Sequence, residues 1–145
     1  MYLGTDHVKN LASLLLLSDV DDKPNELLVT ALLRAKMCEL LGKLRGEEGL
    51  NSFFTVGLFS TLDALLDTPM DQVVGDMPLS EEVSWALLAH EGVMGQVLNC
   101  TLAYEKGEWS RVACDGLTVP QIKGAFFGAV EWADQIEKEL RAIAS

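Results

Sequence analysis

Histidine is nearly absent from this sequence of 145 residues, which holds two, His7 and His90. No His-Asp dipeptide occurs: His7 follows Asp6 in the reverse order, and His90 precedes Glu91. Metal-dependent hydrolysis needs several imidazoles and carboxylates around one or two divalent ions to activate a bound water. Two isolated histidines make a poor site, so neither His7 nor His90 is read as a ligand. His7 reads as a polar residue in the first turn of a helix, and His90 as a favourable charge at a helix C-terminus. Positive charge is also scarce, with 11 Lys and Arg against 22 Asp and Glu, a net charge of -11 and a pI near 4.4. That balance excludes nucleic acid, whose phosphates need basic neutralisation, and argues against anionic membrane surfaces. No long apolar run exists; the longest, Leu11 to Leu17, contains Ser13, lacks a preceding basic region and is far too short to span a bilayer. Cysteine is limited to Cys38, Cys100 and Cys114. An odd number, widely spaced in apolar helical contexts, favours buried thiols in a reducing compartment over disulfides or a zinc site, and so the cytoplasm. A glycine-rich phosphate loop is missing too.

Two-residue alternation of the kind a half-buried strand shows is likewise missing, whereas helical periodicity recurs between Gly and Pro breakers. The expected fold is an all-α, multi-helix bundle, with residues 1–145 forming one domain; nearly half of the residues are apolar (49%), enough for a single core. Asn25 to Leu44 reads as a helix apolar nearly all round, which belongs in the middle of a bundle. Asn51 to Leu66 reads as the next helix, with Thr68 capping a short one after Pro69. Ser80 caps a helix that runs to about His90, where Glu81 and Glu82 face the positive end of the dipole. Gly92 stops it. Val93 to Glu105 follows, and the GEW word at Gly107 turns into a short helix near Ser110. Thr118 and Gln121 form a capping box for a final long helix. On it Ile122, Phe126, Ala129, Ala133, Ile136, Leu140 and Ile143 repeat at four- and three-residue spacing as one apolar seam. Asp134 with Lys138 and Glu137 with Arg141 decorate its outside, and Gly124 and Gly128 would let another helix approach closely.

Few residues carry chemistry. Asp63 lies in the apolar run STLDALL, where an unpaired buried carboxylate would be costly; with Ser60 and Asp67 it reads as an outward polar stripe. Arg34 and Glu39 in LLRAKMCE read as an internal ion-pair or cap-binding position that orders the bundle, in preference to a signalling pocket. Trp85, Trp109 and Trp132 read as core or interface aromatics, because no basic residues interleave them as a stacking platform would need. Cys38 has no histidine near it and reads as core. No catalytic, cofactor-binding or metal-binding residue is assigned.

Several words in order carry a family likeness: GLFSTLDALL (57–66), PMDQVV (69–74), MPLSEEV (77–83) and AYEKGEW (103–109). With the upstream stretch from Tyr2 to Gly42, the sequence resembles the later part of an HDOD domain, an all-helical relative of the HD metal-dependent phosphohydrolases. The wording is most similar to the subgroup in which HDOD follows an EAL cyclic di-GMP phosphodiesterase domain. The likeness implies an HD-related bundle, here expected to lack the family's N-terminal helices. It implies a non-catalytic bacterial signal-transduction module that regulates through protein-protein contacts, with an EAL domain or another protein as partner. The alternative is a degenerate phosphohydrolase or nucleotide-sensing domain that binds a small ligand. A homodimer is also expected, through Leu14 to Leu17 and the Asn25 to Leu44 helix, or through the seam of the last helix.

Overall fold

A computed structural model describes residues 25–75, 77 and 79–144. Among them every regular element is helical, in the order α1 (Asn25–Leu44), α2 (Leu50–Phe59), α3 (Leu62–Leu66), α4 (Met70–Gly75), α5 (Glu81–Ala89), α6 (Gly92–Lys106), a 3-10 turn (Trp109–Arg111) and α7 (Val119–Ala144). The all-α bundle read from the sequence is the observed architecture. His7 and the Leu14 to Leu17 run lie outside the described residues.

α1 is the axis of the bundle. It is apolar on several sides, and α2, α6 and α7 pack around it, burying Leu28, Leu32, Met37, Cys38 and Leu41. It needs more than one neighbour to cover its apolar circumference, and among the described residues its one large hydrophobic left exposed is Leu44, at the C-terminal end. α1 and α2 cross very closely at Gly57, where an added Cβ would lie 2.3 Å from the Arg34 carbonyl oxygen. Only a residue without a side chain permits that approach.

Side-chain caps set the starts of α5 and α7. The Ser80 Oγ accepts from the Val83 N–H at 3.3 Å, satisfying one of the free donors of the first turn. The Thr118 Oγ1 accepts from the Gln121 N–H at 3.3 Å, and the Gln121 Oε1 accepts from the Thr118 N–H at 2.8 Å, the reciprocal pair of a capping box. Three boundaries differ from the sequence reading. The Asn51 to Leu66 helix is broken, because the Ser60 and Thr61 hydroxyls donate back to the Gly57 and Leu58 carbonyls at 2.6 and 2.9 Å and compete with the helical ladder. Thr68 does not cap α4; its hydroxyl donates to the Leu66 carbonyl at 2.9 Å. The α5 stop is His90 itself, in the left-handed region at φ 54°, and Gly92 (φ 76°) begins α6.

The seam of α7 is packed inward against α1. Ile122, Ala129, Ala133 and Ile136 are buried and Phe126 half-buried; the side chains of Leu140, Arg141 and Ile143 lie outside the described residues. Gly128 meets Leu40 of α1, with a Cβ clearance of 3.3 Å, whereas Gly124 faces open space, so among the described residues only Gly128 has a helix against it.

Candidate functional site

Polar residues from distant parts of the chain converge on one cleft of about 350 Å³, bounded by α1, the Ser60–Thr61 break, α3 and the α5–α6 corner. Arg34 leaves the middle of α1 and crosses to α6, where it makes a two-pronged pair with Glu105: Nε donates to Oε1 at 3.1 Å and Nη2 to Oε2 at 2.7 Å. Parallel N–H···O bonds of this kind fix orientation as well as adding energy. Nη1 reaches the carbonyl and Oγ of Ser60, each at 3.4 Å. One guanidinium thus ties α1, the broken α2–α3 helix and α6 together.

That geometry corrects the pairing of Arg34 with Glu39. Glu39 accepts instead from Lys36 at 2.6 Å. Lys36 is only 7% exposed and its ammonium also sits 5.3 Å from the Trp132 ring centroid, within cation–π range. Neither Lys36 nor Glu105 stands out in the sequence, since a buried lysine needs knowledge of its neighbours and Glu105 lies 71 residues from Arg34.

Asp63 and His90 share the rim of the same cleft. Asp63 is exposed and accepts from the Ala64 N–H at 2.9 Å, as the outward reading requires. Ser60 is withdrawn from that stripe, being half-buried and bonded to Arg34. His90 closes α5 with Nδ1 2.5 Å from the Asn99 Oδ1. No serine in the cleft is activated, because the Ser60 hydroxyl spends its proton on the Gly57 carbonyl. Among the described residues, no group of three or more His, Cys, Asp or Glu side chains is placed to hold a metal ion.

All three cysteines are free and buried. Burial pushes the Cys38 thiol up to about 12, against the smaller opposing effect of its contact with Thr101, 3.5 Å away. Burial likewise raises Cys100 to about 11, and the nearby Cys114 adds to the rise. A nucleophile must be a thiolate, so these are core groups. Arg45 is a second internal tie: it donates to Glu47 at 3.2 Å, to Gln96 at 3.0 Å and to the Asp115 carbonyl, pinning the loop ahead of α7.

The aromatic residues divide. Trp132 packs edge-on against Phe54 with centroids 5.7 Å apart, a core role. Trp109 is 64% exposed and touches Tyr104 edge-on at 5.1 Å. Trp85 is 52% exposed at the α5–α6 corner, where Leu88 and Val93 are exposed as well. Trp85 and Val93 line a cleft of about 400 Å³ edged by Glu47, Glu48, Glu82 and Glu91. Among the described residues no helix is long and apolar enough to cross a membrane.

No family model matches the chain, and no solved structure matches it. Two curated proteins do. The cyclic di-GMP phosphodiesterase CdgJ of Vibrio cholerae is 32% identical over 148 residues, which is 95% of this chain and 33% of that protein. The uncharacterised protein YuxH of Bacillus subtilis is 29% identical over 142 residues, 94% of this chain and 35% of that protein. The chain spans about a third of the length of the curated relatives it matches. Across nearly its whole length it is thus similar to one portion of a cyclic di-GMP phosphodiesterase.

Proposed function

We propose that the chain is a non-catalytic regulatory module of the HDOD type, an HD-related bundle that works within bacterial cyclic di-GMP signalling through protein contacts. The observation that carries the reading is the similarity of almost the entire chain to only a third of CdgJ: a part that small, folded as a helical bundle, leaves most of the phosphodiesterase outside the matched region. Support comes from the use of the buried charges. Arg34 is bonded to Glu105 and Ser60, Lys36 lies against the Trp132 ring of α7, and Arg45 donates to Gln96 of α6, so these groups are engaged in holding helices together. The groups turned outward at the α5–α6 corner are Trp85, Leu88 and Val93, suited to a protein partner such as an EAL domain. Trp is enriched where interface energy concentrates.

The test is a chimera in which this chain replaces the matching third of CdgJ. Cyclic di-GMP hydrolysis by the chimera should change severalfold when Trp85→Ser is introduced and stay unchanged with His90→Ala. Equal rates for the chimera and its Trp85→Ser variant would remove the α5–α6 corner from the account. Loss of hydrolysis with His90→Ala would favour the degenerate-hydrolase reading, in which the Arg34 cleft takes a small ligand.

A further inference from the structure

Among the described residues, no other element packs on the face of α7 turned away from α1. Lys123, Gly124, Phe127, Val130, Glu131 and Asp134 are all exposed or, at Gly124, open to solvent. At about 100° per residue they lie within about 60° of the Phe127 direction, one continuous surface. Phe127 is 53% and Val130 40% exposed, although the outward face of a bundle helix is ordinarily polar. The Lys123 ammonium lies 5.8 Å from the Phe127 ring centroid, so a cation already sits against this apolar centre.

We propose that this surface binds a second copy of the chain, the two α7 helices running antiparallel about a two-fold axis at Phe127. The order of charges selects both the occupant and its direction. Lys123 lies one turn before Phe127, while Glu131 and Asp134 lie one and two turns after it. A parallel partner in register would set lysine on lysine and acid on acid. An antiparallel partner sets each Lys123 beside the other copy's acids, and two-fold symmetry makes every such contact twice. Asp134 already holds Lys138 at 3.1 Å, whereas Glu131 makes no ion pair among the described residues, so Glu131 is the principal counter-charge. Gly124 adds room: nothing lies within 4 Å of where its Cβ would be, which lets the partner helix close on the phenylalanines. Opposed helix dipoles favour the same direction. The surface is self-complementary without any other chain.

Overlap from 119 to 135 is about 17 residues, roughly 25 Å at 1.5 Å per residue. A single helix pair of that length belongs with interfaces below about 1,200 Å², which are reversible rather than obligate. This interface does not depend on the regulatory reading, and its test leaves that reading untouched. Sedimentation velocity on the chain from micromolar to millimolar concentration should show a concentration-dependent dimer. Phe127→Ser, Lys123→Glu and Glu131→Lys, all at exposed positions and each checked for unchanged helicity by circular dichroism, should each weaken it at least tenfold. Lys123→Glu combined with Glu131→Lys should restore it to within about threefold of the parent chain, a rescue that loss of folding could not produce. A chain that stays monomeric throughout the range overturns the proposal. So does a dimer that ignores all three single variants, which must form elsewhere, or a double variant as weak as the singles.

Discussion

Replacing Gly57 by alanine tests the packing of the bundle at its tightest point. An alanine Cβ there would lie 2.3 Å from the Arg34 carbonyl oxygen, 2.6 Å from its carbon and 2.7 Å from the Ala35 Cα. All three are backbone atoms of α1, so no rotamer change relieves the clash and the helices themselves must separate. Ordinary overpacking of a core costs about 1–3 kcal/mol, and a backbone obstacle places this case at or above the top of that range. Alanine should return about 1 kcal/mol through better helix propensity, leaving a net loss of at least ~2 kcal/mol. Two further helical glycines calibrate the result. Gly128→Ala meets only the tip of Leu40 at 3.3 Å, which can yield, so its cost and its propensity gain should nearly cancel. Gly124→Ala meets nothing and should stabilise by about 0.5–1 kcal/mol at concentrations where the chain is monomeric. Urea denaturation followed by circular dichroism reads all three, provided the slope with denaturant is constant across the set. Gly57→Ala as stable as the parent, or ranked above Gly128→Ala, would mean that α1 and α2 do not cross at Gly57.

Ile122→Ala removes a side chain that is 1% exposed beneath α7 and should cost about 2–5 kcal/mol, while Asp134→Ala, exposed on the same helix, should fall within about 0.5 kcal/mol of the parent; chemical denaturation separates them. Arg34→Met and Glu105→Gln should each cost about 1.5–3 kcal/mol, the range for hydrogen bonds to charged groups. In a double-mutant cycle the pair should fall short of the sum, and strict additivity would deny the contact. Folded Cys38 keeps its proton to about 12, against a reference value of 9.0. The unfolded chain therefore loses a proton that the folded chain retains, so this thiol costs no stability below pH 9 and an increasing amount from pH 9 towards about 12. Cys38→Ala should flatten the fall in the urea midpoint over that window, and an unchanged pH profile would count against a buried thiol.

The starts of α5 and α7 were legible because their signals are local. Ser80 with Glu81 and Glu82, and Thr118 with Gln121, each carry the cap and the residues that complete it within a few positions. The central place of α1 was legible from its missing polar face. The break at Ser60 and Thr61 was not, since the apolar period runs straight through it and only the hydroxyl bonds to Gly57 and Leu58 reveal the interruption. The polar junction was half legible: Arg34 stands out in an apolar stretch, but its partner is set by how α1 crosses α6, and proximity in sequence pointed to Glu39. For the same reason the burial of Lys36 between Trp132 and Glu39 has no signal in the sequence around it. Trp85, Trp109 and Trp132 look alike in sequence, and packing alone divides them into two exposed residues and one core residue. The inward α7 seam was read correctly where its side chains are described, whereas its opposite face, with Phe127 and Val130 exposed, was not singled out.

The most direct test of the central claim is incubation of the purified chain with cyclic di-GMP and divalent metal ions, with chromatographic detection of linear dinucleotide and mononucleotide products. A regulatory module that acts through contacts should release no product above the rate without protein, with or without His90→Ala. Turnover by the parent chain that survives repurification and disappears in His90→Ala would contradict the account and make the cleft beside Arg34 a catalytic one.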